Sequence, residues 1–578
     1  MQLLSLLKDL TLHPKNAKEL KGLIVRLALR GNLTEKWRIN NPIVENASEL
    51  LEKLKDGKAH LLESRKMKPN KGKEIQATKD MMYSIPSTWA WYRFSEVAFF
   101  QEGPGIRKWQ FRESGVKLLN VQNIVGDTLK LENTEKHVER AEFEEKYKHF
   151  KVEVGDLLFA SSGGSWGKSA WFVDPGYDVM LNTSMVRMCF YDNNWFADYL
   201  KTFVSSGLFV DQMTEQLVGI QPNFGSTHLS RIYIPVPPLE EQKAIVEVVN
   251  ALFIEVEALE ELTKERISLK EDFVTSALRR LTETDNTTQE WNYLQQHFSS
   301  FFTEKKNIKS LRETILQLAV KGKLTAKWRE ENPSLENASE LLKRIEAEKQ
   351  QLIAEKKIKK EKPLPIIEDK DKPYNLPESW VLCRLGEIAM FQKGYAFKSA
   401  NYLDEGIMIT KIKNLTDGNT INSVYVDIKR KEEFEQYVLL AKDIVMTTVG
   451  SWFSSPVSAV GRSFIISDMF HNSLLNQNAV RIRFWNILEP IFFYSCINTP
   501  SFKKYLVEEA QGTANQASIT QASIKSFIIG IPPVKEQQAI VEKVNSLMAL
   551  CDELEQEVDN SQSQIEQLMQ SCLKEVFV

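Results

Sequence analysis

Residues 161–170 read SSGGSWGKSA, and the closing Gly-Lys-Ser is the ending of a loop that binds nucleotide phosphates. Such a loop needs its first glycine five residues before Gly167, where this chain has Ser162. The sequence also lacks the Asn/Asp-Pro-Pro-aromatic tetrapeptide of enzymes that methylate base amino groups, and it has no HxxxH or HExxH spacing. We therefore expect no active site here, and the stretch is either a polar loop that approaches a ligand closely or a simple tight turn.

Hydrogen-bonding side chains are concentrated at turn positions in two long stretches of the chain. Arg or Lys facing guanine, and Asn or Gln facing adenine, are the pairings that read base edges in the DNA major groove. A single polar loop is more often ordinary surface, so the prediction rests on several such loops in each stretch. The candidate DNA-binding residues of the first stretch are Arg107, Lys108, Gln110, Arg112, Asn120, Gln122, Asn123, Ser161, Ser162, Gly163, Gly164, Ser165, Lys168, Asn182, Thr183, Gln221 and Asn223. Those of the second stretch are Tyr395, Lys398, Lys411, Lys413, Asn414, Thr447, Thr448, Ser451, Asn476, Gln477, Asn478, Asn515 and Gln516.

The elements around these loops occur twice in the chain. GNLTEKW at 31–37 returns as GKLTAKW at 322–328, an offset of 291 that also carries the first ENASEL, at 45–50, onto the second. Farther along, PPLEEQKAIVEVVN at 237–250 corresponds to PPVKEQQAIVEKVN at 532–545, at an offset of 295. The offset between the copies thus changes from 291 to 295, so residues have been inserted or deleted between these motifs. Each copy therefore consists of closely matched flanking segments, the frame, around a divergent central stretch, the middle.

The matched frame has helical patterns, whereas the middles are β-rich and broken by Gly, Asn, Asp and Ser turns. We predict an α+β protein in which two mixed α/β domains are joined by long antiparallel coiled-coil helices, with an internal duplication of pseudo-twofold symmetry. The predicted parts are an N-terminal helical frame at 1–84, a first mixed domain at 85–238, a central helical frame with a coiled-coil helix at 239–375, a second mixed domain at 376–535 and a C-terminal coiled-coil helix at 536–578.

Apolar residues follow a 4-3-4-3 spacing after each Pro-Pro pair, which is typical of a coiled-coil seam. Two matched seams favour pairing of the two long helices with each other. Packing of each helix on its own domain explains the same pattern and remains the alternative. The seam residues are Ile245, Val249, Leu252, Val256 and Leu259 in the first copy and Ile540, Val544, Leu547, Cys551 and Leu554 in the second.

Charge and composition limit the classes of function. The net charge of the 578 residues is −3, whereas a protein that binds nucleic acid unaided usually has a strong basic excess. Residues 83–238 carry 15 Lys and Arg against 18 Asp and Glu, and residues 376–533 carry 15 against 14. If these middles read DNA bases, much of the phosphate binding must therefore come from partners.

Targeting and metal-binding patterns are also missing from the sequence. It has no apolar run near the roughly 20 residues that span a bilayer and no signal peptide, so we expect a cytoplasmic protein. The five cysteines are dispersed and predict neither a disulfide framework nor a zinc site.

Together these features resemble the specificity subunits of type I restriction-modification enzymes. The resemblance spans nearly the whole chain and is carried by LALRGNLTEKW and LQLAVKGKLTAKW, ENASELL, IPSTW and LPESW, and IPVPPLEEQKAIVEVVN and IGIPPVKEQQAIVEKVN. It implies two target-recognition domains, each reading one half of a split sequence in double-stranded DNA, and no catalysis in this chain. Methyl transfer from S-adenosylmethionine would belong to two modification subunits, and translocation and cleavage with ATP and Mg²⁺ to two restriction subunits.

The duplication would give such a complex its symmetry, because two equivalent frames offer two equivalent docking surfaces. We expect the frame helices, including 31–50 and 322–341, to bind the modification subunits. Helices of about 35 residues would span ~50 Å, which places the half-sites about one to two DNA turns apart. Residues 281–305 are extra for the family and are either a linker or an added helix.

Three other interpretations remain open from the sequence. The chain could be a coiled-coil scaffold that reads no DNA, or the specificity subunit of a methylation-only complex. A self-sufficient enzyme fused to recognition domains is the third, and the missing catalytic motifs speak against it.

Overall fold

The architecture was derived from a computed structural model, which describes residues 14–42, 47–64, 83–126, 128–161, 168–191, 197–216, 224–284, 287–333, 336–372, 374–452, 460–513 and 516–575. The chain divides into two compact units, one of residues 1–266 with 569–578 and the other of residues 267–568.

The first unit joins a helical frame to a mixed domain. Its helices are α1 (Pro14–Leu29), α2 (Glu35–Asn40), α3 (Ala47–Ser64), α4 (Phe94–Val97), α5 (Arg140–Glu142), α6 (Ala197–Val204), α7 (Gly207–Thr214), α8 (Ser226–Leu229) and the first part of α9 (Leu239–Glu283). Its strands are β1 (Ala90–Arg93), β2 (Ala98–Glu102), β3 (Val116–Leu119), β4 (Ile124–Val125), β5 (Thr128–Leu129), β6 (His137–Val138), β7 (Leu157–Ala160), β8 (Ser169–Trp171), β9 (Val179–Leu181), β10 (Met185–Phe190) and β11 (Tyr233–Val236).

Short strands form the sheets of the first mixed domain. One sheet has the antiparallel order β2-β10-β7-β8, and β7 is buried along its whole length, as its Leu-Leu-Phe-Ala sequence requires. A second sheet has the order β6-β3-β9, with β3 and β9 parallel. Strand β1 pairs with β11 so that Ala90 lies opposite Val236, which ties the two ends of the domain together.

The core of the first unit combines frame and domain. Phe94, Phe100, Phe203 and Phe209 are fully buried, and the rings of Phe94 and Phe100 lie 4.9 Å apart between centroids. Leucines and isoleucines of α1 pack into the same core, so the frame helix is part of the folded unit rather than an appendage.

The second unit repeats this plan. Its helices are the end of α9, α10 (Thr287–Gln296), α11 (Phe298–Phe301), α12 (Lys305–Val320), α13 (Ala326–Glu331), α14 (Ala338–Ala354), α15 (Leu385–Ile388), α16 (Ile412–Asp417), α17 (Pro490–Ile497), α18 (Pro500–Glu509), α19 (Gln521–Ser526) and α20 (Val534–Glu575). Its strands are β12 (Val381–Arg384), β13 (Ala389–Lys393), β14 (Ile407–Thr410), β15 (Val424–Val426), β16 (Ile444–Thr447), β17 (Val449–Gly450), β18 (Ser463–Ile465), β19 (Leu474–Leu475), β20 (Ala479–Phe484), β21 (Gln511–Thr513), β22 (Gln516–Ser518) and β23 (Ile528–Ile531).

The sheets of the two domains have matching topology. β13-β20-β16-β18 corresponds to β2-β10-β7-β8, β15-β14-β19 corresponds to β6-β3-β9, and the pair β12-β23 corresponds to β1-β11. The second domain has an additional described sheet, β17-β22-β21. The duplication and the α+β class predicted from the sequence are therefore confirmed.

The predicted seams lie on two long helices of 45 and 42 residues, longer than the 35 expected. Within the first unit, Ile245, Val249 and Val256 are buried in one core with the apolar face of α1. Lys21 of α1 pairs with Glu257 at 2.7 Å beside this contact.

The seam of α20 is buried in the same way within the second unit. Its residues share a core with Ile308, Leu311 and Ile315 of α12, and Arg312 donates to Asp552 at 2.6 Å. The buried seam residues of each long helix thus lie in the core of the unit that contains them.

The segment 281–305, which was expected to be a linker or an added helix, contains the helices α10 and α11. Leu294 and Phe298, on α10 and α11, pack into a core with Leu278 and Leu281 of α9. In the part of the chain that the structure describes, no helix has the length and apolarity to cross a membrane.

Candidate nucleic-acid interface

One end of the first domain gathers polar segments because β3 and β9 are parallel. Lys117 is paired with Val179 and Leu119 with Leu181, so the residues after both strands meet at the same sheet edge. There the side chain of Asn182 donates from Nδ2 to Oδ1 of Asn120 at 2.7 Å.

Three further segments reach this edge of the first domain. The hydroxyl of Thr183 donates to the carbonyl of Pro104 at 3.0 Å. A side chain at Gly103 would meet the carbonyl of Asn182 at 2.1 Å, so the close approach requires glycine. Ser161 donates its backbone N–H to the carbonyl of Ser184 at 2.9 Å, and its own carbonyl accepts the N–H of Phe224 at 3.0 Å, which brings Ser161 and the segment that begins at Phe224 to the same place.

The second domain builds the equivalent edge. β14 and β19 are parallel, with Thr410 opposite Leu475, so Lys411 and Asn476 follow the two strands side by side. A side chain at Gly394 would meet the carbonyl of Asn476 at 1.9 Å, as Gly103 meets that of Asn182.

The same backbone bonds also hold the remaining segments of the second edge. Thr448 donates its backbone N–H to Asn478 at 2.8 Å and accepts one from Ile519 at 2.9 Å, the pattern that Ser161 makes in the first domain. The two edges therefore share one framework but present different side chains: Asn120 in the first corresponds to Lys411 in the second, and Thr183 corresponds to Gln477.

Several predicted residues support these edges from inside. The carboxamide oxygen of Asn123 accepts the backbone N–H of Asn120 at 2.8 Å, and that of Asn414 accepts the N–H of Lys411 at 3.1 Å. Gln110 is 4% exposed and donates to Glu142. These side chains are committed to bonds within the domain, so they position the loops instead of facing a partner. The predicted residues with buried positions are Gln110, Asn123, Ser161, Asn182, Asn414, Thr447 and Thr448.

Most of the remaining predicted residues are at the surface. The exposed ones are Arg107, Lys108, Arg112, Gln122, Lys168, Thr183, Tyr395, Lys398, Lys413, Gln477, Asn478 and Gln516, and Asn120, Lys411, Ser451 and Asn476 are partly exposed. Ser162, Gly163, Gly164, Ser165, Gln221, Asn223 and Asn515 lie outside the described residues.

Residues 163–167, GGSWG, match the GxSxG motif of a hydrolase nucleophile elbow, and Gly167-Lys168-Ser169 match the end of a phosphate-binding loop. The strands on either side of this stretch are not those that either motif requires. Both devices lead from a strand into a helix. Here the stretch connects β7 to β8, which pair as antiparallel strands with Phe159 opposite Ser169. The flanking strands therefore match neither a phosphate loop nor a nucleophile elbow, and residues 162–167 themselves lie outside the described residues.

Arginines of β10 and β20 bond to groups inside their domains. Arg187 of β10 is 2% exposed, lies 3.3 Å from Asp156 and donates to the carbonyl of His149 at 3.0 Å. In the second domain Arg483 donates to Asp443 at 2.6 Å, while burial, and then the charge of Arg483, lower the pKa of Arg481 to about 10. Arg187 donates to the carbonyl of His149, and Arg481 and Arg483 donate to that of Val438, so these guanidiniums are committed to groups inside their domains and are not available to DNA phosphates.

A second duplicated site was not predicted from the sequence. Glu241, in the first turn of α9, is 1% exposed and accepts hydrogen bonds from the hydroxyl of Thr34 at 2.7 Å, the indole N–H of Trp89 at 2.7 Å and the guanidinium of Arg38. Its position at a helix N-terminus also favours a negative charge. We call these four residues the first glutamate lock.

The second glutamate lock has the same chemistry at Thr325, Arg329, Trp380 and Glu536. The hydroxyl of Thr325 and the indole of Trp380 donate to Glu536 at 2.7 and 2.9 Å, and Arg329 donates to the same carboxylate. Three sequence motifs each occur twice and supply the residues of the two glutamate locks: LTxKWR, TW or SW, and PPxxEQ. The recurrence of these motifs was the signal in the sequence that could have revealed the locks.

Comparisons with known proteins agree on one family. The family model described as the type I restriction modification DNA specificity domain matches residues 86–269 and 377–566. The EcoAI specificity subunit of Escherichia coli is 28% identical over 557 residues, which cover 93% of this chain and 90% of that protein. The EcoEI specificity subunit of the same species is 27% identical, with coverages of 94% and 91%.

Solved structures align less closely. A chain from a study of assembly and conformational transition of a type I system is 16% identical, covers 86% of this chain and 99% of its own length, and has a TM-score of 0.47. The HsdS subunit from Thermoanaerobacter tengcongensis is also 16% identical, with coverages of 86% and 98% and a TM-score of 0.39. The family assignment therefore rests on the sequence matches, which cover both copies of the duplicated design: the chain belongs to the specificity subunits of type I restriction-modification systems.

Proposed function

We propose that each domain reads one half of a split DNA sequence through the polar edge built by its two parallel strands. The supporting observation is the pair of edges itself, in which one backbone framework carries Asn120 and Thr183 in one domain and Lys411 and Gln477 in the other, all exposed or partly exposed. A fixed framework with exchanged hydrogen-bonding side chains is what two readers of different sequences need.

We assign no catalytic step to this chain. The expected chemistry then belongs to partners: S-adenosylmethionine to two modification subunits, and ATP with Mg²⁺ to two restriction subunits. The nearly neutral charge of both domains supports this division, because the partners must supply much of the phosphate contact. Since the substrate is cellular DNA, the cytoplasm is the proposed location.

The docking surfaces for the modification subunits are proposed at α2 and α13. Both helices carry the same Lys-Trp pair, Lys36 and Trp37 in one and Lys327 and Trp328 in the other, with the lysines exposed and the indoles half-buried. Identical exposed groups on both copies suit two copies of one partner, whereas the polar edges differ. The glutamate locks hold these helices against the long helices.

The test is to express the chain with the modification subunit encoded beside it in a host lacking DNA methylation, and to map modified bases. The proposal predicts a split motif, with two specific halves around a fixed unspecified gap. The purified chain alone should neither methylate DNA nor hydrolyse ATP. A continuous motif, or either activity in the chain alone, would contradict the proposal.

A further inference from the structure

In the sheet β17-β22-β21, strands β22 and β21 form a ribbon with one polar face, and Val449 of β17, which lies opposite Ser518, borders that face on the same side of the sheet. Gln511 lies opposite Ser518, and Thr513 lies opposite Gln516. Cross-strand partners, and residues two apart on one strand, point to the same side of a sheet, so these four side chains share a face. We call this set the ribbon face.

The opposite side of the ribbon is fixed to the domain. Ala517 is fully buried in the core of the second unit. Its cross-strand partner is Gly512, where any side chain would meet the carbonyl of Gln516 at 2.0 Å. One side of the ribbon is thus anchored, and the ribbon face is left outward.

Other bonds make the ribbon rigid at the polar edge. The indole N–H of Trp452 donates to the carbonyl of Thr513 at 2.8 Å, on the outer strand. Strand β22 pairs with β17, which continues directly from Thr448 of the edge. The ribbon is therefore preorganised beside the loops proposed to face DNA.

The side chains of the ribbon face suit base recognition. Gln511, Thr513 and Gln516 are exposed, and their side chains bond to no other residue in the part of the chain that the structure describes. None of the residues in the three strands is charged, so the face is built for directional hydrogen bonds rather than for phosphate attraction. A two-stranded β-ribbon fits the DNA major groove, where glutamine pairs with adenine through N6 and N7.

A peptide partner fits this surface less well. A peptide would add to the free edge of β21, but that strand has only three residues and offers few backbone groups. The unbonded groups lie on the face of the ribbon instead.

We propose that the ribbon face enters the major groove of the second half-site, with Gln511 and Gln516 as specificity-determining residues that select adenine. The inference rests on the proposed function, since it names the side chains that read the second half. It predicts that the second half-site contains at least one adenine contacted by each glutamine.

The test uses the complete complex of this chain with its modification subunit, prepared with Gln511→Ala, Gln516→Ala or Gln516→Glu. Each alanine variant should lose a roughly 5- to 150-fold preference for adenine at one position of the second half, while the first half stays unchanged. Gln516→Glu should shift that position towards cytosine, whose amino group glutamate accepts. Gln538→Ala, an exposed glutamine on α20, is the matched control and should change nothing.

Modified-base mapping and binding to duplexes of varied sequence give the readout. If the unaltered complex yields a split motif and both alanine variants keep it, the ribbon inference is overturned and the proposed function stands. A uniform loss of affinity for all duplexes would indicate backbone contact, and a failure to assemble would indicate protein contact; either overturns base reading by the ribbon. If the unaltered complex yields no split motif, the proposed function itself fails.

Discussion

The carboxylate of Glu241 accepts the indole N–H of Trp89 across 2.7 Å, although 152 residues separate them in the sequence. This contact joins the first turn of α9 to the start of the first recognition domain, and Thr34 and Arg38 add the frame helix α2 to the same carboxylate. Three parts of the unit therefore depend on one buried group, and Glu536 repeats the arrangement.

Removing the carboxylate should loosen α2. Glu241→Ala leaves the guanidinium of Arg38 and the indole of Trp89 without their acceptor, and breaking a buried pair in this way typically costs about 3–5 kcal/mol. Hydrogen exchange should show the opening free energy of α2 amides falling by that amount. Glu240→Ala removes an exposed carboxylate that pairs with Lys243 in the described part of the chain, and it should change the opening free energy of the α2 amides by less than about 1 kcal/mol. Equal effects of both substitutions would contradict the lock.

Acid should weaken the first domain through Asp178. A hydrogen bond from Lys151, and then one from Arg140, lower the pKa of this carboxyl below its usual value. A lowered folded-state pKa stabilises the protein above the ordinary carboxyl pKa of about 4, and this contribution is lost as the pH falls through the folded-state value. Asp178→Asn should therefore be less stable than the unaltered chain at pH 7, and the difference should shrink below pH 4.

Urea unfolding at several pH values, followed by a probe in the first domain, measures this difference. Asp211→Asn replaces an exposed carboxylate on α7 and serves as the control. A gap between Asp178→Asn and the unaltered chain that stays constant from pH 7 to pH 2.5 would rule out this contribution.

The number of modification subunits in the complex should depend on the two Lys-Trp pairs. Trp37→Ala should remove one modification subunit from the complex and Trp328→Ala the other, because each indole is assigned to one of two equivalent surfaces. Native mass spectrometry of each variant should give one modification subunit instead of two, and the double variant none. Trp109→Ala, which removes an indole 74% exposed elsewhere in the first domain, should leave two. Retention of both subunits in all variants would place docking elsewhere.

The duplication was the most informative feature of the sequence. The repeated GNLTEKW and GKLTAKW motifs, and the frame helices around them, correspond to equivalent elements in the two units, because a shared register over 291 residues implies shared structure. The parallel strand pairs that create the polar edges were not visible, since short buried strands look alike whichever neighbour they join.

Side-chain orientation limited the site prediction. Asn120 and Asn123 belong to the same polar run, yet Asn120 is partly exposed whereas Asn123 is fully buried and caps the turn. Both asparagine side chains bond nearby backbone groups, so the sequence does not distinguish the buried residue from the partly exposed one, and only tertiary packing separates them. The glutamate locks escaped detection for a related reason: the partners of Glu241 are 152 to 207 residues away.

A matched pair of substitutions tests most directly whether each domain reads a different half of the DNA motif: Asn120→Ala in the first edge and Lys411→Ala in the second. These residues hold equivalent places after β3 and β14. Mapping modified bases in cells that express each variant with its modification subunit should show relaxed sequence preference in one half of the motif for Asn120→Ala and in the other half for Lys411→Ala. Relaxation of the same half by both variants, or of both halves by either one, would contradict the account that each domain reads its own half.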